Sequence, residues 1–169
     1  DLGKQNTTEL TDGRITSYRH PETGALLAEA QLRRLTTNAR TMAYVKNMTL
    51  LHMRPNMMAQ ARSKRLKTRR MFDESVCPED LILLSRADAG GKPDRPYQME
   101  HWQFLQERLA DYYACAARPM VAGADLIAAG YRPGKRMGEI LKRTRELHFS
   151  GLEKGRALKQ VMKEFPPEE

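Results

Sequence analysis

Two histidines and two aspartates are the residues of this chain best suited to bind a metal ion. His52 and Asp88 each share a predicted helix face with apolar residues, His20 stands at a predicted helix start, and Asp1 lies in a turn-like segment. A carboxylate directed into a helical core is unfavourable unless it is paired or binds a metal. Oxygen and imidazole ligands suit magnesium or a divalent transition ion. In the alternative interpretation each histidine bonds a backbone carbonyl, and Asp88 pairs with an arginine such as Arg54 or Arg86.

The elements that must position these residues are predicted to be almost entirely helical. The Asp-Gly pair at 12–13, followed by alternating residues, indicates a short hairpin. Apolar spacing and capping residues predict an all-α fold after it, with a domain over 1–118 and a small helical extension over 119–169. The predicted helices cover 21–35, 38–54, 57–72, 78–90, 98–118, 123–129, 136–149 and 151–165, with a loop at 92–96.

Composition limits the class of protein. The 169 residues are 40% hydrophobic and 30% charged, as in a globular protein. A net charge of +8 favours a phosphate-bearing partner, above all a nucleic acid. No apolar run approaches the roughly 20 residues that span a bilayer, so no membrane segment is expected. Two cysteines, Cys77 and Cys115, are too few for a disulfide framework and fit a reducing cytoplasm.

The basic residues are concentrated in two places. Residues 54–70 contain no acidic side chain. A surface that is only solvent-exposed usually carries both positive and negative side chains. This stretch is therefore predicted to bind along a phosphate backbone. A second group surrounds the Pro-Gly turn at 133–134. Because only 7% of residues are aromatic, we expect recognition of RNA backbone and shape without base stacking. The predicted phosphate-binding residues are Arg62, Lys64, Arg65, Lys67, Arg69, Arg70, Arg132, Lys135 and Arg136.

Several motifs together resemble a known family. The segment DLGK at 1–4 is similar to the His-Asp-hydrophobic-Gly-Lys signature of HD-domain phosphohydrolases without its histidine, and His20, His52 and Asp88 follow in the family's order. The tail resembles the C-terminal segment of HD-containing tRNA nucleotidyltransferases (CCA-adding enzymes of the poly(A) polymerase superfamily). Its motifs are GADL at 123–126, Gly130, PG at 133–134 and GEIL at 138–141. The resemblance covers essentially the whole chain and implies an HD-domain-like helical bundle.

The resemblance also implies roles for individual residues. Asp1 would bridge two metal ions, His20 and His52 would bind one of them, and Asp88 would complete the other site. The cofactor would be divalent: Mg, Mn, Ni, Co, Fe or Zn. The expected activity is that of a metal-dependent phosphatase or phosphodiesterase with Asp1, Lys4 and Arg54 as catalytic residues. A second ion, or Lys4 and Arg54, would neutralise the charge on the phosphoryl oxygens. Lys4 is otherwise a surface lysine, and Arg54 otherwise forms a salt bridge that terminates a helix.

Parts of the family pattern are expected to lie outside these residues. The chain opens with Asp1 and not Met, as a processed, trimmed or partial chain would. The 169 residues do not include three parts of the family pattern: the histidine that precedes the aspartate, an earlier helical histidine and the nucleotidyl-transfer head domain. This piece is therefore not expected to add nucleotides by itself. Two other hypotheses stay open: a tRNA- or RNA-binding body without metal, and an allosteric or oligomerising module. His101 and His148 are predicted to be surface residues.

Overall fold

A computed structural model describes residues 1–91 and 98–167 and confirms the all-α prediction, with one small hairpin near the N-terminus. The predicted loop at 92–96 lies outside the described residues. The chain divides into two compact units, Asp1–Leu109 and Ala110–Glu169, so the division falls before the predicted boundary after residue 118. Among the described helices, none combines the length and apolar character that a bilayer crossing requires.

The N-terminal unit opens with a helical turn and the predicted hairpin. Helix α1 (Lys4–Thr7) leads into strands β1 (Thr8–Thr11) and β2 (Arg14–Ser17), which pair antiparallel. The two turn residues between the strands both have positive φ, 51° and 73°. This conformation matches the right-handed twist of the strands, and an Asp-Gly pair adopts it easily.

Helices α2 (His20–Leu35) and α3 (Ala39–Leu51) form the frame of this unit and pack against each other. Pro21 and Glu22 lie in the first turn of α2. Backbone amides there have no partner within the helix, so the missing N–H of proline costs nothing, and a carboxylate interacts favourably with the helix dipole. The Asn38 side chain accepts a hydrogen bond from the amide of Thr41, 3.1 Å away, and caps α3. The sequence predicted both helices to within a few residues.

The single helix predicted over 57–72 is wrong, because the chain forms two helices there. These are α4 (Arg54–Gln60) and α5 (Arg65–Glu74). Arg62 has a φ of 46°, and the amides of Arg62 and Ser63 return to the carbonyls of Ala59 and Met58 at 3.1 and 2.9 Å. This hydrogen-bond pattern is a Schellman motif, whose left-handed position is usually occupied by glycine. An arginine at that position gave no sequence signal for the break.

Helices α6 (Pro78–Gly90) and α7 (Met99–Ala116) complete the helices that contribute to the N-terminal unit. Its core includes Phe72, Leu81 and Leu105, each fully buried. The Asn56 amide donates to the carbonyl of Ser85 at 2.7 Å and ties α4 to α6. This core fixes α3 and α6, which carry the surroundings of the candidate site.

The C-terminal unit has its own core beneath helices α8 (Gly123–Ala128), α9 (Lys135–Phe149) and α10 (Lys154–Glu164). Its buried cluster includes Leu126, Ile140 and Val161. The prediction that His148 lies at the surface is wrong: the residue is 2% exposed, and its Nε2 lies 2.8 Å from the carbonyl oxygen of Cys115. His148 lies on the buried face of α9 with Ile140 and Leu147, and its side chain is therefore buried with them.

Candidate metal centre

Three of the four predicted metal ligands meet at one point of the N-terminal unit. Asp1 precedes α1, His20 is the first residue of α2, and His52 follows the last residue of α3. The Asp1 Oδ1 atom lies 3.1 Å from Nε2 of His52 and 3.7 Å from Nε2 of His20. All three ligand atoms lie within 4.8 Å of one another, close enough for one small cation to contact each of them.

Gly3 brings Asp1 to this point because it allows α1 to approach α2 closely. A Cβ atom at residue 3 would lie 2.0 Å from the carbonyl oxygen of His20 and 2.7 Å from the amide nitrogen of Gly24. The backbone at Gly3 has φ of −70° and ψ of −22°, values that any residue adopts. The contact, and not the backbone conformation, therefore requires glycine here.

Backbone carbonyls orient both histidines. His20 Nδ1 lies 2.8 Å from the carbonyl oxygen of Ser17, and His52 Nδ1 lies 2.7 Å from that of Thr49. A carbonyl only accepts, so Nδ1 carries the proton in each ring. In the neutral tautomer the lone pair is then on Nε2. Metal-binding histidines commonly have this arrangement, in which the second ring nitrogen donates to a carbonyl or carboxylate.

The Nε2 atoms of His20 and His52 are buried and have no hydrogen-bond partner among the described residues. Burial lowers the pKa of His52, which favours its neutral form at neutral pH. The Nε2 atoms of both rings and one carboxylate oxygen of Asp1 thus face one another. Buried polar atoms are rarely left without a partner, and a divalent cation would satisfy all three. The residues therefore fit the metal that the sequence predicted.

The fourth predicted ligand, Asp88, is outside this group of three. It lies on α6, half-buried, and lines a cavity together with Asp1 and His52. Its carboxylate is close enough to act on His52 electrostatically, opposing the effect of burial on the pKa of that histidine. Asp88 therefore lies at the edge of the group that Asp1, His20 and His52 form.

The two predicted catalytic cations have carboxylate partners. Lys4 forms an ion pair with Oδ2 of Asp1, so the two carboxylate oxygens are divided between the lysine and the histidines. Arg54 forms an ion pair with Glu74 across α4 and α5, the alternative that the sequence left open. Both cations nevertheless line a cavity beside His20.

Two cavities flank the three ligands. The cavity on the His20 side has a volume of about 670 Å³ and includes Lys4, Arg19 and Arg54 in its lining. The cavity on the His52 side has a volume of about 530 Å³ and is lined by Asp1 and Asp88, with no lysine or arginine among the described residues of its wall. The first cavity thus has three cationic lining residues and one carboxylate, that of Glu22, and the second has two aspartates.

Comparison with protein-family models, with curated proteins and with solved structures finds no match to this chain. The resemblance to HD-domain proteins thus stays a prediction from the motifs. The candidate metal centre depends on the geometry of Asp1, His20 and His52.

The predicted RNA-binding residues are mostly exposed, and the structure places them in both units. On and before α5 all of them except the half-buried Arg69 are exposed, and Arg62 pairs with Glu100 at 3.1 Å. Arg132, Lys135 and Arg136 are exposed and line a cavity at the start of α9. Arg136 also donates to the carbonyl of Pro166 at 3.0 Å.

Sequence reasoning missed Arg19, which lines the basic cavity next to His20. Its left-handed backbone, with φ of 60° and ψ of 18°, has no signature in the sequence because most such positions are glycine or asparagine. The alternative that each histidine bonds a backbone carbonyl is confirmed at Nδ1 of both rings. Which residues supply these carbonyls, Ser17 and Thr49, was not predicted, because any residue supplies a carbonyl. Only their place three residues before each histidine was available as a signal.

Proposed function

We propose that the N-terminal unit binds one divalent metal ion through Asp1, His20 and His52 and serves as the metal-binding part of an HD-type phosphohydrolase. One observation supports this above the others: two buried Nε2 atoms, without a hydrogen-bond partner among the described residues, face one carboxylate oxygen. The ordered motifs of the sequence add the expectation of phosphoester chemistry.

The residues have separable tasks in this proposal. When bound, a divalent ion lowers the pKa of a coordinated water towards about 7 and so makes hydroxide available for hydrolysis at neutral pH. Lys4 holds the second oxygen of Asp1 and fixes the direction of the carboxylate. The carbonyls of Ser17 and Thr49 fix the rings of His20 and His52.

We also propose a cytoplasmic location for the protein, which the free thiols of Cys77 and Cys115 suit.

The test is metal binding by the purified protein. Protein freed of metal by a chelator is titrated with Co²⁺, followed by its visible absorption and by calorimetry. We expect one ion per chain. Replacing His52 with alanine removes a ligand, and we expect the affinity to fall by about 100-fold or more, since even changes to groups behind the ligands lower affinity about 10- to 100-fold.

His101 provides a matched control. It lies on α7, outside the cluster of ligands, so H101A removes an imidazole without touching the site. We expect H101A to bind Co²⁺ as the wild type does. Equal affinity in the wild type, H52A and H101A would show that Co²⁺ binds elsewhere and would overturn the proposal.

A second candidate function, RNA binding, is favoured by the exposed basic stretch before and along α5. Lys64, Arg65, Lys67 and Arg70 are all exposed there, and no acidic residue occurs between Arg54 and Arg70. Such a surface binds phosphates without reading bases, and its affinity falls steeply as salt rises. We propose tRNA or a similar structured RNA as its ligand.

A salt titration of tRNA binding tests this second function. Reversing the charge of Lys64 and Lys67 should weaken binding to all RNA sequences alike and reduce the slope of log affinity against log salt by about one for each phosphate that is no longer neutralised. Reversing Arg14 and Arg34 together, two exposed arginines outside this stretch, serves as the control for net charge. The same loss of affinity with R14E/R34E would assign the effect to net charge and not to this surface.

A further inference from the structure

The cavity beside His20 differs from its neighbour in a way that indicates what enters it. Its lining carries three cationic side chains, those of Lys4, Arg19 and Arg54, against one carboxylate, that of Glu22. The cavity beside His52 has the opposite character, because Asp1 and Asp88 are the only charged residues among the described ones that line it. Because Lys4 and Arg54 are each paired with a carboxylate, Arg19 is the cation of the first cavity that remains able to attract an anionic group.

Arg19 is the cation in this cavity with the most donors to offer. Lys4 is paired with Asp1, and Arg54 is paired with Glu74. Arg19 is exposed, and no carboxylate among the described residues forms an ion pair with it. A guanidinium has five N–H donors in a planar fork that matches the oxygens of a phosphate. Arg19 directly precedes His20, which is 8% exposed, and both residues line this cavity.

The backbone of Arg19 is also unusual. Its φ of 60° places a non-glycine residue in the left-handed region, where L-residues are strained. Glycine would relieve that strain, yet an arginine stands here. Strained residues of this kind cluster at binding sites, where the strain fixes a side chain in position. Arg62 has the same backbone conformation at a helix end, so the argument for Arg19 depends on its place in the cavity lining.

Part of the lining is apolar. Leu50, Met53 and Met57 form part of the wall, and Met57 and Tyr18 are 61% and 83% exposed. Flexible methionines and an aromatic ring adapt to a bulky organic group, and methionine sulfur contacts aromatic rings favourably. A volume of about 670 Å³ lies within the range of small-molecule sites.

We propose that the His20-side cavity is the substrate cavity of the proposed metal centre, that Arg19 binds the phosphate, and that the wall of Tyr18, Met53 and Met57 selects phosphoesters with an aromatic or apolar organic group. This inference rests on the proposed function for its place beside the metal.

The experiment compares two non-hydrolysable probes, phenylphosphonate and methylphosphonate, by calorimetry with the Co²⁺-loaded and with the metal-free protein. We expect phenylphosphonate to bind more tightly. R19G should weaken both probes by about 10- to 100-fold, the range expected for removal of one charge-assisted hydrogen-bonding group. Glycine suits the left-handed position, so R19G folds. Y18A should weaken phenylphosphonate alone, and R14A, which changes an arginine on the hairpin, should leave both unchanged.

The Co²⁺ titration separates this inference from the proposal on which it rests. Wild-type binding of Co²⁺ by R19G, together with loss of phosphonate binding, supports the inference. If Co²⁺ binds but R19G retains full phosphonate affinity, the inference is overturned and the metal site stands. If Co²⁺ does not bind at all, the metal proposal fails, while Arg19-dependent phosphonate binding by the metal-free protein still supports the cavity. Equal affinity for the two probes would overturn the role of the apolar wall.

Discussion

Replacing Gly3 with alanine places a methyl group in a space that the backbone of α2 already occupies. The new Cβ would lie 2.0 Å from the carbonyl oxygen of His20, whereas real Cβ contacts are essentially never below 3.0 Å. The contacting atom is backbone and not the tip of a side chain, so it cannot rotate away. The start of α1 must therefore move from α2 by about 1 Å, the difference between these two distances.

That movement acts on the candidate metal centre through Asp1, which is two residues before Gly3. Metal–ligand distances in proteins fall within about 0.2 Å of their ideal values. A shift of about 1 Å therefore moves the Asp1 carboxylate out of bonding distance of the metal ion. We expect G3A to lower Co²⁺ affinity by about 100-fold, or about 2.7 kcal/mol. The forced movement should also lower the free energy of unfolding by about 1–3 kcal/mol.

The assay is a Co²⁺ titration beside chemical denaturation of the metal-free protein. Gly138 is the matched control: it lies within α9, and a Cβ there would meet no atom within 4 Å. G138A should bind Co²⁺ as the wild type does and should be more stable by about 0.5–1 kcal/mol, because alanine favours a helix interior. Wild-type affinity and stability in G3A would refute the close approach of α1 and α2 and the placement of Asp1.

Three further predictions concern stability. L126A empties a fully buried position of the C-terminal core, so urea denaturation should show a loss of about 2–5 kcal/mol; a change below about 0.5 kcal/mol would contradict that core. R62G should be about 1 kcal/mol more stable than R62A in the same assay, because both remove the side chain and only glycine relieves the left-handed backbone; equal stabilities would speak against the Schellman motif. A hydrogen bond from Arg143 lowers the pKa of Glu164 from 4.5 to about 2, so its stabilising effect is complete above 4.5 and disappears as pH falls towards 2. Thermal denaturation of E164Q should show a weaker pH dependence in that window, and an unchanged dependence would rule out the pairing.

Local structure could be predicted from the residues alone. Asp12 and Gly13 indicate the hairpin turn, and Pro21 and Asn38 mark the starts of helices, because these signals act through the residue itself and its nearest neighbours. The break at Arg62 escaped prediction because a tertiary context holds an arginine where glycine is usual. Its guanidinium contacts the ring of Phe104, which is far along the chain.

Residue types also predicted Asp1, His20 and His52 as ligands, since few side chains bind metals. Their convergence could not be predicted, because it depends on a contact between α1 and α2 that Gly3 permits and on carbonyls that turn both rings. The margin position of Asp88, the pairing of Lys4 and Arg54 and the place of Arg19 in the basic cavity depend on packing in the same way. Distances between residues far apart in the chain follow from how helices pack, and the spacing of residues along the chain does not contain them.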